Sequence, residues 1–269
     1  MAFFVTLPLM DSALQQTYTL FQVLFLLAGL NPTPTPYGKF FQGRAGVTYS
    51  VPSRVGMFVI YFPAFVVAAC WAATSINFVE STRRLDVITL LLLIHFGKRL
   101  LEVLFLHVYS GTLDLIQAMC VITVSYAVNT HMILTSCSSS TSSSKLPDTV
   151  LVPGLTLFVV GQAINFYHHY LLAALRNDSS MNKREEKELT NKKYLQPRGG
   201  LFSTTCCPHF FGEILAWIGI ALISQHLTVW LVTGGMTSYL LGRSYSTTRF
   251  YRERLPAYKP AYHLIPGVF

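Results

Sequence analysis

Apolar stretches close to the length of a membrane-crossing helix recur along this chain of 269 residues. A helix needs about 20 residues to cross roughly 30 Å of hydrocarbon. Seven such stretches are predicted as spans, at 16–30, 55–78, 85–109, 112–134, 150–175, 210–224 and 227–241, with the first and the last two short. Composition agrees: 52% of residues are apolar and only 12% charged, where soluble domains carry about 25% charged residues. The expected fold is all-α, a polytopic membrane protein forming a single domain over residues 1–269.

Lys and Arg set the expected orientation. Lys39, Arg44 and Arg54, the run 176–198 and the stretch 243–259 fall on one side, against Arg83, Arg84 and Lys145 on the other. The positive-inside bias predicts a lumenal N-terminus, with the 176–209 loop and the C-terminal tail in the cytoplasm. The net charge of +8 reflects this flanking of spans. Without an aromatic-interleaved basic patch, nucleic acid is not an expected partner.

The five cysteines, at 70, 120, 137, 206 and 207, make neither a disulfide framework nor a zinc pattern. The N-terminus has no basic n-region and no small-residue cleavage site, so the first span is expected to remain as the insertion signal. Residues 31–54 read as a Pro- and Gly-rich ordered or re-entrant loop, 136–147 as a mobile Ser-rich loop and 177–193 as solvated. No internal repeat is evident, which argues against inverted-repeat transporters.

Polar residues inside spans carry the chemistry. Asn165, His169 and Arg176 fall on nearly one face of the fifth span, because steps of 4, 7 and 11 return close to the start. Such a stripe faces a bundle interior, either as a functional path or as interhelical hydrogen bonding. On the third span His95, Arg99 and Glu102 share a face, with Lys98 and Arg99 at pairing distance from Glu102. That set suits either a ligand contact or a packing salt bridge. His168–His169 lacks the repeated His boxes of di-iron enzymes, so no metal is expected. Arg243, Arg249, Arg252 and Arg254 offer guanidinium forks suited to phosphate, or plain juxtamembrane anchoring.

Residues 194–213, YLQPRGGLFSTTCCPHFFGE, concentrate this polarity at one membrane edge. Gly199–Gly200 permits close backbone approach to a ligand, and Arg198 adds a charge-assisted donor. His209 and Glu213, one helical turn apart, share a face.

P-R-G-G-L-F, a following Cys-Pro-x-F-x-G-E element, a preceding Asn-x-x-x-His…Arg helix and an R-F-Y…I-P-x-x-F ending together resemble the steroid 5α-reductase family, which includes very-long-chain enoyl-CoA and polyprenal reductases. The likeness is strong over 155–269 and weaker from about 115, and the whole is similar to plant-type members. The series His95, Lys98, Arg99, Glu102, Phe105, His107 resembles the enoyl-CoA branch; Tyr37–Gly38–Lys39 and Pro52–Ser53–Arg54 resemble the steroid branch. The resemblance implies a multi-pass endoplasmic-reticulum enzyme. It would use NADPH from the cytoplasm to reduce a carbon–carbon double bond conjugated to a carbonyl in a lipid. Asn165, Arg176, Gly199, Gly200, Glu213, Arg243 and Tyr251 match cofactor-pocket positions, with His169 and Arg198 beside them. Asn165 and Glu213 would lie near the nicotinamide amide, Arg176 and Arg243 on the phosphates, and Tyr37 and Lys39 over the cofactor.

The chain departs from that pattern where the substrate carbonyl is polarised. Steroid reductases place a Gln-Glu pair and a Tyr where this chain has Ile60, Tyr61 and Phe96. The Asn-Tyr of the C-P-N-Y element is His209–Phe210, and Ala261–Tyr262 stand near a missing late Arg. A lost proton donor is worth ~10²–10⁴ in rate. Three readings follow: an active reductase in which Tyr61 or His209, with Glu213, does the catalytic work; a methyltransferase of the isoprenylcysteine or phospholipid type; or a catalytically silent lipid- or NADPH-binding member.

Overall fold

The structure, a computed structural model, describes residues 13–29, 50–75, 83–109, 112–114, 120–139, 146–177, 195–255 and 257–269. Among them run seven α-helices: α1 (Ala13–Gly29), α2 (Ser53–Ser75), α3 (Arg83–Leu101), α4 (Val121–Ser139), α5 (Asp148–Asn177), α6 (Pro208–Ser224) and α7 (Leu227–Arg254). Ser53–Thr74 and Asp148–Asn177 are long and apolar enough to cross a membrane, and α6 is a shorter apolar helix. Large apolar side chains stay on the surface while several polar ones are buried. Phe105 is 82% exposed and Val159 62%, whereas Asn165 and Arg99 are buried. A surface of large apolar side chains over an interior that holds buried polar groups suits a lipid environment.

The helical expectation holds, with local corrections. Residues 112–134 were expected as one span. Instead Thr112–Asp114 forms a strand antiparallel to Ser50–Pro52, pairing Ser50 with Asp114, and the helix begins at Val121. The pairing satisfies backbone groups beside the charged Asp114, which a lipid-facing helix would not favour. The third span does not continue as a regular helix to 109. It turns into a π-helix at Glu102–Leu106 and ends where His107 turns extended. Ser136–Ser139, expected in a loop, complete α4. The last helix runs past 241 to Arg254, so its arginines sit on helix rather than tail.

The tightest pairing is between α5 and α6, and glycines at heptad spacing make it. A methyl group on Gly161 would lie 2.5 Å from the Gly212 carbonyl oxygen and the Ala216 nitrogen; one on Gly212 would lie 2.6 Å from the Asn165 nitrogen. Gly219 meets the Gly154 carbonyl at 2.4 Å in the same way. Small residues that let backbones touch are the usual adhesive between helices in lipid. α1 docks against α4 and α7: Tyr18 and Gln22 both donate to Asn129 Oδ1, at 2.9 and 2.7 Å, and the Ser238 hydroxyl donates to the Leu26 carbonyl at 2.7 Å. The apolar core joins α2, α3, α4, α5 and α6 through Ile60, Ala64, Ile88, Leu92, Phe96, Ile133, Phe158 and Ile220.

Candidate functional site

The glycine contact between α5 and α6 sets Asn165 directly over the first turn of α6. Its amide nitrogen donates to the His209 carbonyl at 2.9 Å and to Glu213 Oε2 at 3.2 Å. Its amide oxygen accepts from Lys98 of α3 at 2.5 Å. One side chain thus ties three helices. Glu213 takes two further donors, His95 Nε2 at 3.2 Å and Trp217 Nε1 at 3.3 Å. Gln162 donates to His95 Nδ1 at 2.9 Å; an imidazole accepting there carries its proton on Nε2, aimed at the carboxylate. Glu213 keeps 18% of its side chain exposed.

A second carboxylate, Glu102, opens the π-helix one turn after Lys98. Glu102 contacts Lys98 at 2.9 Å, Arg99 at 2.6 Å and His169 at 3.2 Å, and is 2% exposed. Residues five apart on an α-helix point about 140° away from each other. The wider π turn instead carries His107 back to within 4.0 Å of Glu102. Arg99 then reaches outward: Nη2 donates to the Tyr61 hydroxyl at 2.8 Å and Nη1 lies 3.1 Å from His169 Nδ1. The His169 ring lies 4.7 Å from that of His107 and 5.3 Å from that of His209. Glu102, His107 and His169 bring three ligand-type atoms within 4.8 Å of one another. The Arg99 guanidinium, touching two of them, already supplies the positive charge a metal would bring.

The anticipated α5 stripe is real and runs against α3: Asn165 meets Lys98, His169 meets Arg99 and Glu102, and Arg176 donates to the Val108 carbonyl. Glu102 pairs with Lys98 and Arg99 as the helical spacing requires. Gly199 and Gly200 both take positive φ, 87° and 52°, a conformation open to glycine. A methyl on Gly200 would also strike His168 Nε2 at 2.7 Å. His168 holds this turn: its Nε2 accepts from Leu201 N at 3.0 Å while Nδ1 contacts the Ile164 carbonyl at 2.7 Å. With both nitrogens engaged, His168 is a structural clasp. Arg198 is exposed at the same turn, Arg243 is buried on α7, and Tyr251 packs on Tyr258 with ring centres 5.8 Å apart. Tyr61 is buried and stacks on Tyr126 at 5.7 Å. Tyr37 and Lys39 lie outside the described residues.

Gln162 and Trp217 escaped the sequence reading as members of this site. Gln162 and Trp217 sit one turn from Asn165 and Glu213, so helical spacing from a known polar residue was a usable signal. His107 entered only through the series that resembles the enoyl-CoA branch, and its approach to Glu102 depends on the π turn.

A predominantly helical fold with a buried polar seam defines a class of membrane-type helical proteins with an interior site. Residues 112–269 match the 3-oxo-5-alpha-steroid 4-dehydrogenase family profile, and the chain belongs to that family. It is 32% identical over 147 residues to the very-long-chain enoyl-CoA reductase of Dictyostelium discoideum, covering 51% of this chain and 42% of that protein. It is 32% identical over 117 residues to 3-oxo-5-alpha-steroid 4-dehydrogenase 2 of Homo sapiens, 43% of this chain and 42% of the relative. The polyprenal reductase of Xenopus laevis is 29% identical over 180 residues, 62% of this chain and 54% of the relative. The chain thus spans about half the length of these relatives. All of this supports an oxidoreductase.

Proposed function

We propose that the chain is a multi-pass oxidoreductase of the endoplasmic-reticulum membrane, a single domain with a lumenal N-terminus and about seven spans. In this reading it uses NADPH to reduce a carbon–carbon double bond conjugated to a carbonyl in a lipid, of the steroid, enoyl-CoA or polyprenal kind. The observation that carries the reading is the Asn165–Glu213 pair, an amide and a carboxylate 3.2 Å apart and each oriented by neighbours. Such a pair offers the acceptor and donor that a nicotinamide carboxamide needs. Arg176 and Arg243 would answer the phosphates with charge-assisted hydrogen bonds. Arg198, Gly199 and Gly200 would border them on the exposed turn, with His169, Tyr251, Tyr37 and Lys39 completing the set.

NADPH, when bound, supplies the hydride for the β-carbon; the matching proton must come from the protein. Tyr61 is the best donor the site offers. Its oxygen accepts from Arg99 Nη2 at 2.8 Å, so the guanidinium stabilises the phenolate left when the proton leaves. His209 is the second candidate, joined to the same network through His169. This donor arrangement answers the departure at Phe210, which has no proton to give.

Purified full-length protein with NADPH and a panel of enoyl-CoAs, enone steroids and polyprenals tests the reading. Oxidation of the cofactor is expected with at least one class, and Tyr61→Phe is expected to lower kcat by about 10²–10⁴ while leaving NADPH affinity intact. No oxidation with any class, together with no NADPH-dependent thermal shift, removes the reading. Stabilisation by S-adenosylmethionine instead would favour the methyltransferase, and NADPH binding without turnover the silent member.

A further inference from the structure

The last helix carries basic residues on two different faces. Arg243 and Tyr251 are part of the cofactor set proposed above. Tyr245, Arg249 and Arg252 fall within about 60° of one another on a helix of 100° per residue, and about 100° or more from Arg243 and Tyr251. Burial follows the same division: Arg243 is buried, while Tyr245, Arg249 and Arg252 are exposed.

Against the second face the C-terminal segment folds back. Cys206 N donates to the Tyr262 carbonyl at 3.0 Å and Cys207 N to the His263 carbonyl at 3.2 Å, and Tyr262 N returns a bond to Thr204 O at 3.0 Å. These bonds plant the His263 ring edge-on to Tyr245, 5.3 Å between centres, with the Phe269 ring 5.0 Å away on the tail. The result is a groove of roughly 280 Å³ lined by Tyr245, Arg249, Arg252, Glu253 and His263.

Its charges are not balanced internally. Glu253 is the one carboxylate in the lining, and it answers both Arg249 at 3.1 Å and Arg254 at 3.8 Å. The Arg249 and Glu253 side chains are 74% and 55% exposed, so water screens that pair strongly. Among the described residues Arg252 donates one long contact, to the Pro260 carbonyl at 3.5 Å. Burial and the adjacent Arg252 push the His263 imidazole down from its ordinary value. Two guanidinium forks beside an exposed phenol present the geometry that phosphate oxygens accept.

The groove is also flanked by apolar surface. Val268 is 78% exposed and Phe269 36% at the end of the tail. A phosphate-seeking cleft next to exposed apolar residues suits a ligand that joins a phosphate to an acyl chain, as a lipid headgroup does. We propose that the Arg249–Arg252 groove binds the phosphate of an anionic lipid headgroup, at a site separate from the candidate cofactor pocket.

Native mass spectrometry on the detergent-solubilised full chain tests this, with phosphatidic acid, phosphatidylcholine and inorganic phosphate as probes. Phosphatidic acid is expected to be retained in preference to phosphatidylcholine, and inorganic phosphate to displace it only weakly. An Arg249→Ala/Arg252→Ala double variant is expected to weaken phosphatidic acid binding about tenfold or more, as charge-assisted bonds are lost. Arg249→Lys/Arg252→Lys, which keeps the charge without the fork, is expected to retain part of the affinity and controls for folding. Unchanged phosphatidic acid binding in the double alanine variant would overturn the site. Equal retention of both lipids, or tight inorganic phosphate binding with no lipid preference, would overturn the lipid assignment. A parallel loss of the NADP⁺-dependent thermal shift would overturn the separation of the two sites. A wild type without that shift counts against the reductase reading alone, and the lipid titration still decides the groove.

Discussion

Glu102 and Glu213 are two buried-site carboxylates held by opposite kinds of neighbour. Glu102 is gripped by an ammonium and a guanidinium at 2.9 and 2.6 Å. Glu213 is held by an imidazole, an indole and an amide, all at 3.2–3.3 Å. A carboxylate locked between two full charges has little left for a ligand, and its removal strands those charges. One held by weaker donors, and still 18% exposed, can exchange a partner for a ligand group. On the function proposed above, this contrast suits Glu102 to positioning Arg99 and Tyr61, and Glu213 to meeting the cofactor.

The sharpest way to break the comparison is to remove the frame both carboxylates share. Gly161→Leu would drive a side chain into the α6 backbone, where even a methyl meets atoms at 2.5 Å. Loss of folded protein is expected, read as aggregation on size exclusion. Next in size, Glu102→Gln leaves Lys98 and Arg99 uncompensated, and is expected to destabilise by about 3–5 kcal/mol, seen as a large fall in thermal midpoint. Glu213→Gln is expected to leave the thermal midpoint near wild type while weakening NADPH about tenfold, as measured by fluorescence titration. If both variants lose stability equally and bind NADPH alike, the assignment of roles is wrong. The smallest effect is expected from Glu253→Gln, whose exposed pair with Arg249 contributes about 0–1 kcal/mol; a larger shift in midpoint would show that the C-terminal groove is structurally coupled to the bundle.

The same division separates what could be read early from what could not. The Asn165–His169–Arg176 stripe and the pairing of Lys98 and Arg99 with Glu102 followed from spacing, since steps of 3, 4, 7 and 11 on a helix need no knowledge of neighbours. The choice between ligand contact and packing salt bridge did not follow. It depends on which residues of α2 and α5 come within reach, here Tyr61, His169 and Asn165. The fourth span was placed too early because hydropathy carries no information about strand pairing between 50–52 and 112–114.

By itself the sequence determined a helical, lipid-suited chain, its family and most of the polar residues of its interior, because hydropathy and helical phase are local properties. Only the tertiary structure decided how those residues divide into a locked carboxylate and an available one. The heptad glycines bring two backbones into contact and so place Asn165 on Glu213. The π turn after α3 rotates His107 onto Glu102 and His169. Both outcomes rest on contacts between distant segments, which no local pattern specifies.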